Sequence, residues 1–208
     1  MNVLHIESSP RGSQSYSRQV AEQLAHTLQT EKGATVVFRD LNHPSVPHVS
    51  QEWVDASLYT RFTGAAMTPA EIETLRFSDE LVAEVKAADV IVFGVPMYNF
   101  GVPSVAKAWF DNIARLGATF AYTATGPVGL LHNKKLIAVS ARGGSGYGPG
   151  EPYGNANHVD GHVQAFFGWL GITDVTVIPV NNTARGEEAV KQSVEEAQTH
   201  IRQIVAGL

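Results

Sequence analysis

The run Asp89-Val90-Ile91-Val92-Phe93-Gly94-Val95 leads directly into Pro96-Met97-Tyr98-Asn99-Phe100-Gly101-Val102-Pro103. Its first half is apolar on both faces, the pattern of a central strand covered by helices on each side. Shorter runs at 3–6, 35–38, 136–140 and 175–179 repeat the pattern, and helical periodicity separates them. That alternation is the signature of βα units, so the fold class is read as α/β with a mostly parallel sheet.

The helices follow from spacing. Val20, Leu24 and Leu28, flanked by Ala21 and Ala25, predict a helix that starts near Ser17 and stops at Gly33. A second helix is expected over 69–88, with Ile72, Leu75, Leu81, Val82 and Val85 on its buried face. A third runs over 104–114, with Pro103 near its first position, and a fourth over 187–205, where Val190, Val194, Ala197, Ile201 and Val205 share a face. Residues 41–68 show weak periodicity, two prolines and the aromatics Trp53, Tyr59 and Phe62; a short helix with a functional role is expected there.

The 208 residues, 44% hydrophobic, fit one domain over 1–208. Fifteen Lys and Arg against 20 Asp and Glu, net charge -5, leave no electrostatic footprint for nucleic acid or an anionic membrane. The absence of cysteine rules out disulfides, thiolate catalysis and cysteine-ligated zinc, and fits a reducing compartment. With no basic, apolar leader and no long apolar run, the expected location is the cytoplasm.

Ligands of open parallel sheets sit beyond the carboxyl ends of the strands, which directs attention to three loops. After Ile6 comes Glu7-Ser8-Ser9-Pro10-Arg11-Gly12-Ser13-Gln14-Ser15-Tyr16-Ser17, a hydroxyl-rich turn into a helix. Free N–H groups and serine hydroxyls at a helix start suit a phosphate, although the same residues also serve as ordinary caps. No GK[ST] follows, and the GxGxxG of a dinucleotide loop is missing, so a terminal monophosphate is favoured over a pyrophosphate. In the second loop, prolines at 96 and 103 stiffen the chain, and the N–H groups of 97 to 101 are expected to face a flat ring with acceptor atoms on one edge. In the third, Ala141-Arg142-Gly143-Gly144, the glycines allow close backbone approach with Arg142 alongside. A phosphate socket and a peptide-lined slot for a heterocycle together describe an FMN site.

The same residues resemble the FMN-dependent NADH-azoreductase family, relatives of the NAD(P)H quinone reductases. The likeness rests on Ser9 with Ser15-Tyr16-Ser17, on Met97-Tyr98-Asn99-Phe100 followed by P-x-x-x-K-x-W-x-D and GPVGL, and on Ala141 to Gly144. It implies a flavodoxin-like three-layer sandwich whose five-stranded parallel sheet runs in the order 2-1-3-4-5. It further implies FMN held by Ser9, Arg11, Ser15, Tyr16, Ser17, Pro96, Met97, Tyr98, Asn99, Phe100, Ala141, Arg142, Gly143 and Gly144. Tyr122 and Phe166 match positions flanking the flavin, with Phe167 as the alternative to Phe166; Tyr122 and Arg142 are candidates for polarising substrate. The activity implied is ping-pong transfer of two electrons from NADH, or from NADPH, through FMN to azo compounds or quinones, in a homodimer that completes the pocket. A non-enzymatic flavodoxin-like electron carrier is the rival reading, disfavoured by the modest net charge and the Ala141–Gly144 loop. His158 and His162 are spaced as zinc ligands are, but without the Glu of HExxH they read as a helix face. Ser145 in GGSGY fails the nucleophile-elbow pattern because position 147 is Tyr.

Overall fold

The computed structural model describes the backbone of residues 1–208 and all side chains except those of residues 59–61, which include Tyr59. The first half of the chain forms β1 (Asn2–Glu7), α1 (Tyr16–Lys32), β2 (Thr35–Asp40), α2 (Gln51–Val54), a π-helical turn (Asp55–Tyr59), α3 (Thr60–Thr63), α4 (Pro69–Ala87) and β3 (Val90–Gly94). The second half forms α5 (Ser104–Ile113), a hairpin of β4 (Phe120–Thr123) and β5 (Gly126–Gly129), then β6 (Lys135–Ala141), α6 (His158–Trp169), β7 (Asp174–Val180) and α7 (Glu187–Ala206).

Five strands make one parallel sheet, ordered β2-β1-β3-β6-β7. Numbered among themselves they run 2-1-3-4-5, the expected flavodoxin-like arrangement. Each parallel pair needs a crossover, and helices on both faces cover the sheet. Along the fully buried β3, Ile91 and Phe93 enter the core under α4, α5 and α6, while Val90 and Val92 enter the core under α1 and α7. Phe93 is the hub of the first core, with ring centroids 5.4 Å from Trp109, 6.0 Å from Phe110 and 6.5 Å from Phe167.

The helix boundaries have local causes. Ser15, not Ser17, caps α1: its hydroxyl accepts from the Arg18 N–H, and Gly33 ends the helix at φ 63, a left-handed angle suited to glycine. Thr68 and Glu71 form a reciprocal capping box on α4, with Pro69 in its first turn. Ile72 is 54% exposed, contrary to its expected place on the buried face. The buried stripe begins only at Leu75 and includes Ser78, whose hydroxyl donates to the Asn112 carbonyl and accepts from Arg115. Pro103 stands at the cap of α5, one position ahead of its expected place.

Within 41–68, Trp53 and Ala56 pack with Leu75 in a small separate cluster. The hairpin at 120–129 was not legible in the sequence. It turns Phe120 inward and leaves Tyr122 exposed. No helix among the described residues is long and apolar enough to cross a membrane.

Candidate functional site

The carboxyl ends of β1, β3 and β6 bring the three loops together. Ser9, Arg11, Ser15 and Tyr16 from the first, Pro96, Met97 and Tyr98 from the second, and Ala141 and Gly143 from the third line one cleft of about 240 Å³. Thr183 and Ala184, just after β7, complete its wall. These two went unnoticed in the sequence, although they too lie at the carboxyl end of a sheet strand. Their N–H groups bond the carbonyls of Arg142 and Gly143 at 3.0 and 3.1 Å, which holds the third loop in place.

The first loop has the chemistry of an anion socket. Ser9 and Ser15 are buried at the cleft, and the Ser15 hydroxyl lies 2.9 Å from that of Ser17. Ser17 is fully buried and supports Ser15 from behind. The N–H groups of Tyr16 and Ser17, in the first turn of α1, have no hydrogen-bond partner among the described residues. Unpaired donors at the positive end of a 17-residue helix favour an anion, and the exposed Arg11 adds a charge at the rim.

The second loop corrects the donor count. The Met97 N–H bonds to the Ala141 carbonyl at 2.8 Å, and Tyr98 and Gly101 exchange both N–H···O bonds at 3.0 Å. Of the N–H groups of 97 to 101, only those of Asn99 and Phe100 stay without a partner among the described residues. The cause is a tight turn with both central residues left-handed, Asn99 at φ 49 and Phe100 at φ 69. Asn tolerates that region, whereas a bulky residue there costs roughly 1–3 kcal/mol. This strained turn supplies two adjacent donors, and the Tyr98 hydroxyl, 3.1 Å from that of Ser9, links it to the socket.

Arg142 also requires correction. Its side chain is 3% exposed and turns away from the cleft, with Nη2 donating to Asp160 Oδ2 at 2.6 Å. Alternation along the strand end places Ala141 and Gly143 on the cleft and Arg142 between them facing α6. Its backbone belongs to the loop, but its guanidinium does not reach a substrate in the cleft. Gly144 sits one residue beyond the wall, its carbonyl accepting from the Asn182 N–H.

Neither flanking aromatic lines the cleft of this chain. Tyr122 is 58% exposed and stacks on Phe62 with centroids 6.0 Å apart. Phe166 is half-buried and stacks on Phe110 at 4.4 Å, whereas Phe167 is wholly in the core, so of the two only Phe166 reaches the surface. His162 stands edge-on to Phe110, and burial followed by the Lys107 charge lowers its pKa. No group of three metal-ligating side chains occurs among the described residues.

A parallel α/β sheet whose strand ends hold a helix-capped anion socket beside a donor-bearing turn defines a flavodoxin-like protein. Residues 1–205 match the Flavodoxin_2 model, described as a flavodoxin-like fold. The chain is 42% identical to FMN-dependent NADH:quinone oxidoreductase 2 of Trichormus variabilis, with 99% of each chain covered. It is likewise 42% identical to the FMN-dependent NADH:quinone oxidoreductase of Ralstonia nicotianae, over 99% of this chain and 97% of the other. Among solved structures, the FMN-dependent NADH-azoreductase of Bacillus anthracis in complex with FMN superposes with a TM-score of 0.83, at 25% identity, covering 99% of this chain and 100% of the other. The chain belongs to the flavodoxin-like family of FMN-dependent NADH:quinone oxidoreductases.

Proposed function

We propose that the cleft binds FMN and that the protein is an FMN-dependent NADH:quinone oxidoreductase that also reduces azo compounds. The observation that carries this reading is the α1 socket in a cleft walled by Pro96, Met97 and Tyr98. Asn99 and Phe100 do not line that cleft themselves but follow its wall directly, with N–H groups that have no partner among the described residues. The donor set fits the cofactor: hydroxyls and helix-start amides for a phosphate monoester, turn amides for the acceptor edge of a heterocycle. FMN bound there would supply two-electron transfer between NADH and the acceptor.

The protein's part is to bind, orient and dry the site. Ser9, Ser15 and the amides of Tyr16 and Ser17 hold the phosphate, and Arg11 neutralises part of its charge. Met97 and the exposed Gly143 let a flat ring approach between the second and third loops. The side chains lining the cleft include hydroxyls, an arginine and a thioether but no carboxylate or imidazole, so protons for the acceptor come from water. The absence of acidic side chains in that lining also argues against a carrier that docks protein partners through an acidic rim.

One chain encloses only part of such a ligand, since about 240 Å³ falls below the roughly 300–1,000 Å³ of pockets that surround a small-molecule cofactor. A second copy is the proposed complement. The exposed Phe62, Tyr122, Val128, Leu130 and Trp169 gather around the hairpin and α6, and an aromatic face of that kind would roof a neighbour's cleft. The segment 109–131 as a whole is not that face, because Trp109, Phe110, Ile113, Phe120 and Leu131 are buried in their own core. A reducing compartment such as the cytoplasm is the proposed location, supported by the cysteine-free composition.

Because NADH and the acceptor must use the same slot, initial rates measured with both substrates varied should give parallel double-reciprocal lines. Intersecting lines would mean that both substrates bind at once, contrary to a shared slot.

A further inference from the structure

We infer that His5 and Glu7 form a buried proton site behind the anion socket, and that FMN is bound together with a proton held there. The inference rests on the FMN reading of the cleft. Leu4 and Ile6 of β1 enter one core, and His5 and Glu7 point to the opposite face, under α1. Glu7 is 0% exposed and its Oε1 lies 2.7 Å from His5 Nε2. Its Oε2 has no hydrogen-bond partner among the described residues. The carboxylate packs on the Cα of Gly94, where a Cβ would overlap it, so β3 is glycine at the point where both cofactor loops leave the sheet.

Burial disfavours a negative charge at Glu7, and the charged groups around it are few. From α1 come Arg18 and Glu22, with His26 beside His5 at the edge of a shallow hollow. From β2 comes Asp40, which holds Arg18 at 2.6 Å, and the ring of Phe38 stands edge-on to His5 at 5.1 Å. From β3 comes only uncharged Gly94. Arg18 is thus shared with Asp40, and Glu22 adds a like charge to that of Glu7. Burial raises the Glu7 pKa, opposed by the hydrogen bond and charge of His5 and then by the charge of Arg18.

Glu7 is two residues ahead of Ser9, about 7 Å along an extended strand. A phosphate dianion at the start of α1 would therefore face the pair at short range through the protein interior. Like charges so placed weaken binding by roughly tenfold to a hundredfold. One proton shared by His5 and Glu7 makes the pair neutral; without it the pair carries one negative charge. Binding is then the sum of the deprotonated pair, the FMN dianion and one proton from the buffer. No covalent bond other than that to the proton changes.

Titration calorimetry of FMN into apoprotein at pH 8, repeated in buffers of different ionisation enthalpy, reads the proton directly. At that pH the phosphate, with a second pKa of about 6, is already a dianion and releases none. The expected result is uptake of roughly 0.3–1 proton per FMN, with Kd rising as pH rises because binding consumes a proton. Glu7→Gln should abolish the uptake while still binding FMN, and His5→Gln provides the same reading should Glu7→Gln fold poorly. No uptake in the native protein, or the same uptake in both variants, overturns the inference while leaving the FMN site standing. Failure of the native protein to bind FMN at all overturns both.

Discussion

Ser15→Ala combined with Ser17→Ala should weaken FMN binding by one to two orders of magnitude or more while sparing riboflavin, which lacks the phosphate. Ser15 faces the cleft and Ser17 fixes its hydroxyl from behind at 2.9 Å, so the pair acts as one donor unit. A charge-assisted hydrogen bond contributes about 1.5–3 kcal/mol, which is roughly 10- to 150-fold in Kd for each bond lost. The same change removes the cap of α1, where the Ser15 oxygen accepts from Arg18 N–H, at a stability cost of about 0.5–2 kcal/mol. Fluorescence titration separates these effects: a cap defect alone would weaken FMN and riboflavin alike. Unchanged FMN affinity in the folded double variant would move the phosphate away from α1.

Two glycines should respond with opposite signs. At Gly129 an added Cβ would strike the backbone of Leu170 and Gly171 at the end of α6, and backbone cannot swing aside as a side chain can. The hairpin is tied to the same place by the Leu131 N–H bond to the Leu170 carbonyl at 2.9 Å. Gly129→Ala should therefore cost about 3 kcal/mol, a fall in Tm of roughly 6–12 °C for a chain of this size. It should also weaken self-association, because the hairpin carries Tyr122 and Val128 on the proposed dimer face. Gly161 lies within α6 with open space where a Cβ would go, so Gly161→Ala should stabilise by up to about 1 kcal/mol. Thermal denaturation and light scattering test both: native scattering should correspond to two chains, and a monomer that binds FMN normally would refute the shared pocket.

The centre of the sheet was legible because strands buried on both faces write continuous apolar runs, as 90–94 does. The hairpin was not, since Thr123-Ala124-Thr125-Gly126 carries none of the Asn-Gly or Asp-Gly signals of a two-residue turn. The cleft follows from the carboxyl-end rule, whereas Thr183 and Ala184, in the run Asn181-Asn182-Thr183-Ala184, carry no motif that sets them apart. The prolines mark the stiff loop at 96–103, but no residue type in it signals that Tyr98 and Gly101 satisfy each other and leave the donors of 97 to 101 at Asn99 and Phe100. The inward turn of Arg142 follows from strand alternation once Ala141 and Gly143 are placed on the cleft. Glu7 gave no sequence signal of its burial, because an acid at a strand end ordinarily marks the exit to solvent.

The most direct test of the account is the visible spectrum of the FMN-reconstituted protein, titrated with NADH in the absence of oxygen and then with a quinone. One equivalent of NADH per bound FMN should remove the oxidised-flavin absorption, and the quinone should restore it in full, with no other protein present. A bound flavin whose absorption NADH leaves unchanged, or a protein that retains no FMN, would contradict it.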